Sequence, residues 1–254
     1  MKYLAETADQ SAQVVVLEIK RPPYNYLNVE VLSELADRLE RLDTVDDCRA
    51  VVLAADGKAF SAGADFNSPT DDSAMETATF YEHAMRLFQT KKPIIAAVHG
   101  AAVGAGLGLA VAADFRVSCE EARFSANFNR LGFHPGFGLS LTLPRLVGTQ
   151  HASMLLYTGR RINGSEAKQI GLVDILVPPI DVRNAAINLA KEIAGSAPLA
   201  VESTRATLRD GFPQAIRAAN QRELSLQRVQ FGTEDFKEGV AAMTERRAPV
   251  FQRR

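Results

Sequence analysis

The chain has 254 residues, close to the upper size for one hydrophobic core. Its 46% hydrophobic and 23% charged residues fit a soluble globular protein, and a formal charge of -1 removes any electrostatic reason to expect nucleic acid or an anionic membrane as partner. Cys48 and Cys119 have no CxxC neighbour, which argues against a metal site or a disulfide framework and for free thiols in a reducing, cytoplasmic setting.

The opening MKYLAETADQSAQ is too polar for a signal peptide. Val14 to Ile19 is a β-branched run and predicts a strand, stopped by Arg21-Pro22-Pro23. Asn28 can cap a helix in which Leu32, Leu35, Ala36, Leu39 and Leu42 recur at helical spacing. Arg49 to Ala54 reads as a buried parallel strand, followed by a glycine loop over 57–67 and a polar turn-rich stretch over 68–73. A helix is expected from about Ala74 to Gln89, then a strand over Ile94 to Val98. Ile94 to Ala113 has the length of a membrane span, but its glycines and the flanking Lys91, Lys92 and Asp114 favour a buried strand, a tight loop and a buried helix. Phe115 to Ser118 predicts a further strand, Gly148 to Thr158 a helix, and Asn163 with Ser165 opens another helix that ends at Gly171. Leu172 to Val177 is extended. From Val182 the chain is almost wholly helical, broken at Gly195 to Pro198 and at Gly211 to Pro213. Strands alternating with helices and then helices alone imply an α/β core with a helical C-terminal region.

Two glycine loops carry the chemistry. KAFSAGADF over 58–66 follows a buried strand; Gly63 permits an unusual turn, and the small Ser61, Ala62 and Ala64 leave room for a ligand against the backbone. HGAAVGAGLGLA over 99–110 also follows a strand. Its Gly104, Gly106 and Gly108 are spaced GxGxG, not GxGxxG, and no acidic residue stands at the ribose-binding distance, so a dinucleotide site is disfavoured. The better reading is a helix N-terminus whose free amide at Ala105 faces an incipient negative charge. Together the loops suggest amide donors converging on one carbonyl oxygen.

These segments, with LGFHPGFGLSLTLPRLVG, TGRRINGSEAKQIGLVDILVP and TERRAPVF, resemble the crotonase (enoyl-CoA hydratase/isomerase) superfamily in order and spacing. The resemblance implies an α/β, crotonase-type spiral of ββα units over 1–195 and a C-terminal all-helical trimerisation region over 196–254. It implies an acyl-CoA substrate and self-association as a trimer or dimer of trimers, with coenzyme A entering as part of the substrate and no separate cofactor or metal. Carried over residue by residue, Ala64 and Ala105 supply the oxyanion amides. Ala62 and Ala64 offer carbonyls to the adenine. Lys58 and Arg246 lie near the CoA phosphates, Arg246 from a neighbouring subunit. Asp65, Phe66, Gly104, Phe128 and Phe133 complete the expected substrate-binding set.

The departures concern proton handling. The two hydratase glutamates correspond here to Gly108 and Phe128, and the carboxylate of the isomerase and dehalogenase branches to Gly136. A dehalogenase histidine corresponds to Tyr81. Titratable candidates near the expected pocket are Tyr81, Glu82, His83 and His134, with adjacent helical residues unable to share one face. Phe128, Phe133, Phe137 and Tyr26 are expected to make the acyl chamber apolar and suited to a bulky or aromatic acyl group. Glutamates introduced together at 108 and 128 are expected to restore some hydration. Three functions stay open: an acyl-CoA lyase or isomerase type of enzyme that hydrates poorly, a crotonase-like C–C bond hydrolase acting on a non-CoA diketone, and a non-catalytic CoA-binding or assembly protein.

Overall fold

In the computed structural model the described residues are 2–9, 11–65 and 73–254. They form two sheets and a set of covering helices. Strands β1 (Leu4–Asp9), β2 (Val14–Ile19), β3 (Ala50–Ala55), β5 (Ile94–Val98), β7 (Phe115–Ser118) and β10 (Ile175–Leu176) make one sheet in the order β1-β2-β3-β5-β7-β10. Its pairs are parallel except for β1 with β2. Every residue of β3 and of β5 is buried, the signature of parallel strands covered on both faces. Short strands β4 (Ala59–Ser61), β6 (Ala101–Val103), β8 (Arg123–Ser125) and β9 (Arg161–Asn163) make the second sheet in the order β4-β6-β8-β9.

The chain thus climbs in repeated turns. A strand enters the larger sheet, a short strand enters the smaller one, and a helix returns. This happens in β3, β4 and α2 (Ser73–Arg86), in β5, β6 and α3 (Ala105–Ala112), and in β7, β8 and α4 (Leu139–Thr158). The ββα spiral is therefore present. The first helix, α1 (Val29–Leu42), begins where expected, with the Asn28 side chain accepting from the Val31 N–H, and buries Leu32, Leu35, Leu39 and Leu42. α4 starts well before Gly148, which interrupts it with non-helical dihedrals. Pro144 and Gly148 conceal the first half of this helix in the sequence. α5 (Gly164–Gln169) opens with a reciprocal Asn163–Glu166 capping box.

The C-terminal helices are α6 (Val182–Ala194), α7 (Pro198–Leu208), α8 (Phe212–Gln230) and α9 (Glu234–Glu245). The small residues Ala186, Ala190 and Ala194 of α6 are buried against the larger sheet. α8 packs on α2 and α4, and α9 on the 3₁₀ turn Asn127–Leu131. Among the described residues no helix is long and apolar enough to cross a membrane. The apolar stretch from Ile94 is divided among β5, β6 and α3 instead.

Candidate active site

The first loop leaves β4 at Ser61 and is pinned to residues 24–27. Ala62 N–H donates to the Tyr24 carbonyl at 2.9 Å, Leu27 N–H to the Gly63 carbonyl at 2.8 Å, and Asp65 N–H to the Leu27 carbonyl at 2.9 Å. In extended chain successive amides face opposite sides, so Gly63 and Asp65 spend their groups on Leu27 and the Ala64 N–H points away. Among the described residues it meets no backbone acceptor. Gly63 has φ +110°, a region side chains avoid, and a β-carbon there would lie 2.9 Å from the Val103 carbonyl oxygen and 3.9 Å from the Ala105 nitrogen. The two glycine loops are therefore in contact.

Ala105 is the first residue of α3, after Gly104 at φ +55°. First-turn amides have no partner within a helix, and the Ala105 N–H lies at the positive end of the helix dipole. A β-carbon at Gly106 would run into the Ser61 carbonyl, so glycine there lets α3 close on β4. The result is two N–H groups, from Ala64 and Ala105, on adjoining loops, with no acceptor among the described residues.

Phe128 stands at the edge of this pair. Its Cζ is 3.9 Å from where a Gly104 β-carbon would be. The ring stacks edge-on to Phe133 at 5.5 Å, and Phe133 meets Phe231 at 5.1 Å and Phe236 at 5.6 Å. Phe137 does not join that cluster, contrary to expectation. It packs against Phe80 and Phe88, each at 6.3 Å. Tyr26 pairs with Tyr24 at 5.9 Å. The expected single aromatic chamber is thus divided: Phe128 and Phe133 lie in one group, Phe137 in a second and Tyr26 in a third. The chain turns over between Phe133 and Phe137, where Phe137 adopts φ +62°.

The positions 108 and 136 are filled from outside. A β-carbon at Gly108 would lie 2.5 Å from Phe137 Cγ. A β-carbon at Gly136 would overlap the Tyr81 hydroxyl and come within 2.6 Å of Gln227 Nε2. A glutamate at 108 has no room while Phe137 holds its place, which corrects the expectation that changes at 108 and 128 alone restore hydration.

The polar residues split in two. Tyr81 is buried, and its hydroxyl accepts from Gln227 Nε2 at 3.0 Å; burial pushes its pKa well above the ordinary value. Gln227 Nε2 also donates to the His134 carbonyl at 2.8 Å, so Tyr81 and the His134 segment are brought together. The His134 Nδ1 is 2.7 Å from the Pro135 carbonyl, an acceptor, so Nδ1 is the donor of that contact. Glu82, by contrast, is exposed, and His83 meets Arg86 at 3.0 Å. Lys58 is exposed and has no carboxylate partner among the described residues. Arg246 is likewise exposed and without an ion pair there, whereas Arg247 is engaged by Glu238 and Glu245. Asp65 is held by Arg21 at 2.8 Å. Phe66 lies outside the described residues.

Two residues of α8 were not anticipated. Glu223, fully buried, accepts from Gly138 N–H at 2.7 Å, Ser140 N–H at 2.9 Å and Ser140 Oγ at 2.6 Å, capping the start of α4; burial raises its pKa. Gln227 is the second. The sequence carries no signal for them: Ile216, Asn220, Glu223 and Gln227 fall on one mostly polar helical face, and only the structure shows that face buried.

Comparison with known proteins agrees with this geometry. The family model described as enoyl-CoA hydratase/isomerase matches residues 9–254. The chain is 35% identical to a crotonyl-CoA hydratase of Syntrophomonas wolfei over 99% of each chain. It is 34% identical to a short-chain-enoyl-CoA hydratase of Clostridium acetobutylicum over 94% of each. The crystal structure of an enoyl-CoA hydratase/isomerase from Pseudoalteromonas atlantica superimposes with a TM-score of 0.89 at 33% identity, over 98% of this chain and 100% of that one. The spiral of ββα turns, the paired glycine loops and these matches along nearly the whole length show that the chain belongs to the enoyl-CoA hydratase/isomerase family, the crotonase superfamily of enzymes.

Proposed function

We propose that the protein binds an acyl-CoA thioester and stabilises negative charge on its carbonyl oxygen through the N–H groups of Ala64 and Ala105. The observation that carries this reading is the pair of amides on touching loops, with no acceptor among the described residues, one of them at a helix N-terminus. Fixed donors of this kind contribute on the order of 3 kcal/mol each to an oxyanionic transition state. The exposed Lys58 in the first loop, without a carboxylate partner among the described residues, is a partner for a CoA phosphate. Arg246 would serve the same end from a neighbouring copy in a trimer or dimer of trimers.

The relatives' names suggest water addition. Here the positions assigned to the hydratase glutamates hold Gly108 and Phe128, and the space beside Gly108 is taken by a phenyl ring. Neither can transfer a proton. The reading is therefore enolate or oxyanion chemistry without efficient hydration: isomerisation, decarboxylation, or thioester or C–C bond cleavage. Tyr81 and His134 are the candidates for proton transfer.

Titration calorimetry with CoA and a short acyl-CoA, followed by mass spectrometry of a panel of acyl-CoAs, tests this. Binding with turnover is the expected result. Failure to bind any CoA compound would point to a non-CoA diketone substrate; binding without turnover of any member would leave a CoA-binding or assembly role.

A further inference from the structure

We infer that Tyr81 and Gln227 form a specificity-determining pair that receives a hydroxyl group carried on the acyl portion of the substrate. This rests on the acyl-CoA reading above and deepens it.

The hydrogen-bond inventory carries the inference. A glutamine amide has two donor hydrogens and one acceptor oxygen. Gln227 spends its donors on the Tyr81 hydroxyl at 3.0 Å and the His134 carbonyl at 2.8 Å. Its Oε1 is buried and receives no hydrogen bond from the described residues. Turning the amide over does not cure this, because Oε1 would then face the His134 carbonyl, acceptor against acceptor. The Tyr81 oxygen accepts from Gln227, and among the described residues no acceptor is found for its hydrogen. Two complementary valences are thus left over side by side: one donor on Tyr81, one acceptor on Gln227. A buried acceptor without a partner is costly, so the arrangement is complete when a ligand fills it.

The unspent atoms define the ligand. A hydroxyl both accepts, from Tyr81, and donates, to Gln227 Oε1. A ketone or ether could satisfy Tyr81 alone, and an ammonium Gln227 alone. The location places this group on the acyl chain. Tyr81 and Gln227 stand over Gly136, whose neighbour Phe137 touches α3 at Gly108. Gly108 follows Ala105 by three residues in α3, ~4.5 Å along the axis. The hydroxyl would therefore sit several atoms from the thioester carbonyl. Glycine at 136 is part of the device, since any side chain there would displace the Tyr81 hydroxyl.

The test is calorimetric titration of the full chain with matched acyl-CoA pairs that differ by one hydroxyl, placed at successive positions on alkyl and phenyl acyl groups. For at least one position the hydroxylated member should bind about tenfold tighter or more, since a site built around a hydroxyl rejects the analogue that lacks it. Gln227→Met should erase most of that preference while leaving the affinity for the plain member within about threefold, and Tyr81→Phe should likewise erase most of the preference. Equal affinity within every pair for the wild-type protein overturns the inference and would mean that water completes the pair. A preference that survives both substitutions overturns it too. Failure of all members to bind overturns the acyl-CoA reading instead.

Discussion

Phe137 occupies the space into which any side chain at position 108 would grow: a β-carbon on Gly108 would lie 2.5 Å from its Cγ and 2.6 Å from its Cβ and Cδ1. Phe137 is fully buried and itself held at φ +62°. Gly108→Ala is therefore expected to destabilise by about 1–3 kcal/mol through overpacking. Phe137→Ala alone should cost about 3–5 kcal/mol through the cavity it leaves. The double variant should lose clearly less than the sum, because each change relieves the other. Urea denaturation of the four proteins measures this, and strict additivity would show that the two positions are not in contact.

Crotonyl-CoA hydration by the wild-type protein is expected to be very slow. General acid–base groups contribute about 10² to 10⁴-fold each, and positions 108 and 128 offer none. Glutamates at both positions should fail to restore the reaction unless Phe137 is also shortened, for example to alanine. Hydration at an ordinary hydratase rate, lost when the pocket is mutated, would overturn this.

The pH dependence of stability should carry the mark of Glu223. Burial raises its pKa above the ordinary 4.5, so the folded state holds this proton more tightly than the unfolded chain does. Stability contributed by the neutral acid is then present below pH 4.5 and lost as pH rises through the folded value. Glu223→Gln removes that fall. It should nonetheless be less stable at neutral pH by about 1–3 kcal/mol, because the carboxylate oxygens accept from Gly138 and Ser140 and an amide NH₂ in place of either would oppose a donor. Identical pH profiles for the two proteins would remove Glu223 from the account.

Much of this architecture can be read in the sequence where apolar residues run or recur. β2, α1 and β5 fall where expected because Val14 to Ile19, the Leu32–Leu42 stripe and Ile94 to Val98 each declare one periodicity. The smaller sheet was not legible. Its strands β4, β6, β8 and β9 are three residues each, and two of them lie inside the glycine loops that were read as loops throughout. β1 was missed because LAETAD carries no apolar alternation. The loop amides of Ala64 and Ala105 could be anticipated from the glycines around them. Gln227 and Glu223 could not, since their partners Tyr81 and Gly138 lie 146 and 85 residues away and α8 reads as an ordinary helix of an oligomerisation region.

Self-association is expected as a trimer or hexamer. α7 buries none of its residues, with Leu199 81% and Leu208 77% exposed. A helix this short gains little stability from propensity alone and needs a packed face. Residues of α6 and α7 also line an apolar cleft with Phe115. Light scattering at micromolar concentration should show the assembly, and Leu208→Glu should weaken it. A monomeric wild-type protein would end both this expectation and the cross-subunit role of Arg246.

The amide of Ala105 can be tested without a side chain to mutate. Proline lacks an N–H, and the first position of a helix accommodates it because that N–H has no helical partner and φ is already near the proline value. Ala105 holds that position in α3, and in the proposed mechanism its N–H does nothing but face the substrate oxygen. Ala105→Pro should therefore fold, as judged by circular dichroism and an unfolding midpoint near that of the parent. If the amide stabilises an oxyanion, kcat should fall about 10² to 10³-fold. Affinity for CoA itself should change little, because in the proposed binding mode the nucleotide portion would be held elsewhere, by Lys58 and the carbonyls of Ala62 and Ala64. An Ala105→Gly control keeps the N–H and should retain most of the activity, separating loss of the donor from disturbance of the loop. A folded Ala105→Pro protein with undiminished turnover would show that the helix N-terminus does not carry the charge that develops on the substrate.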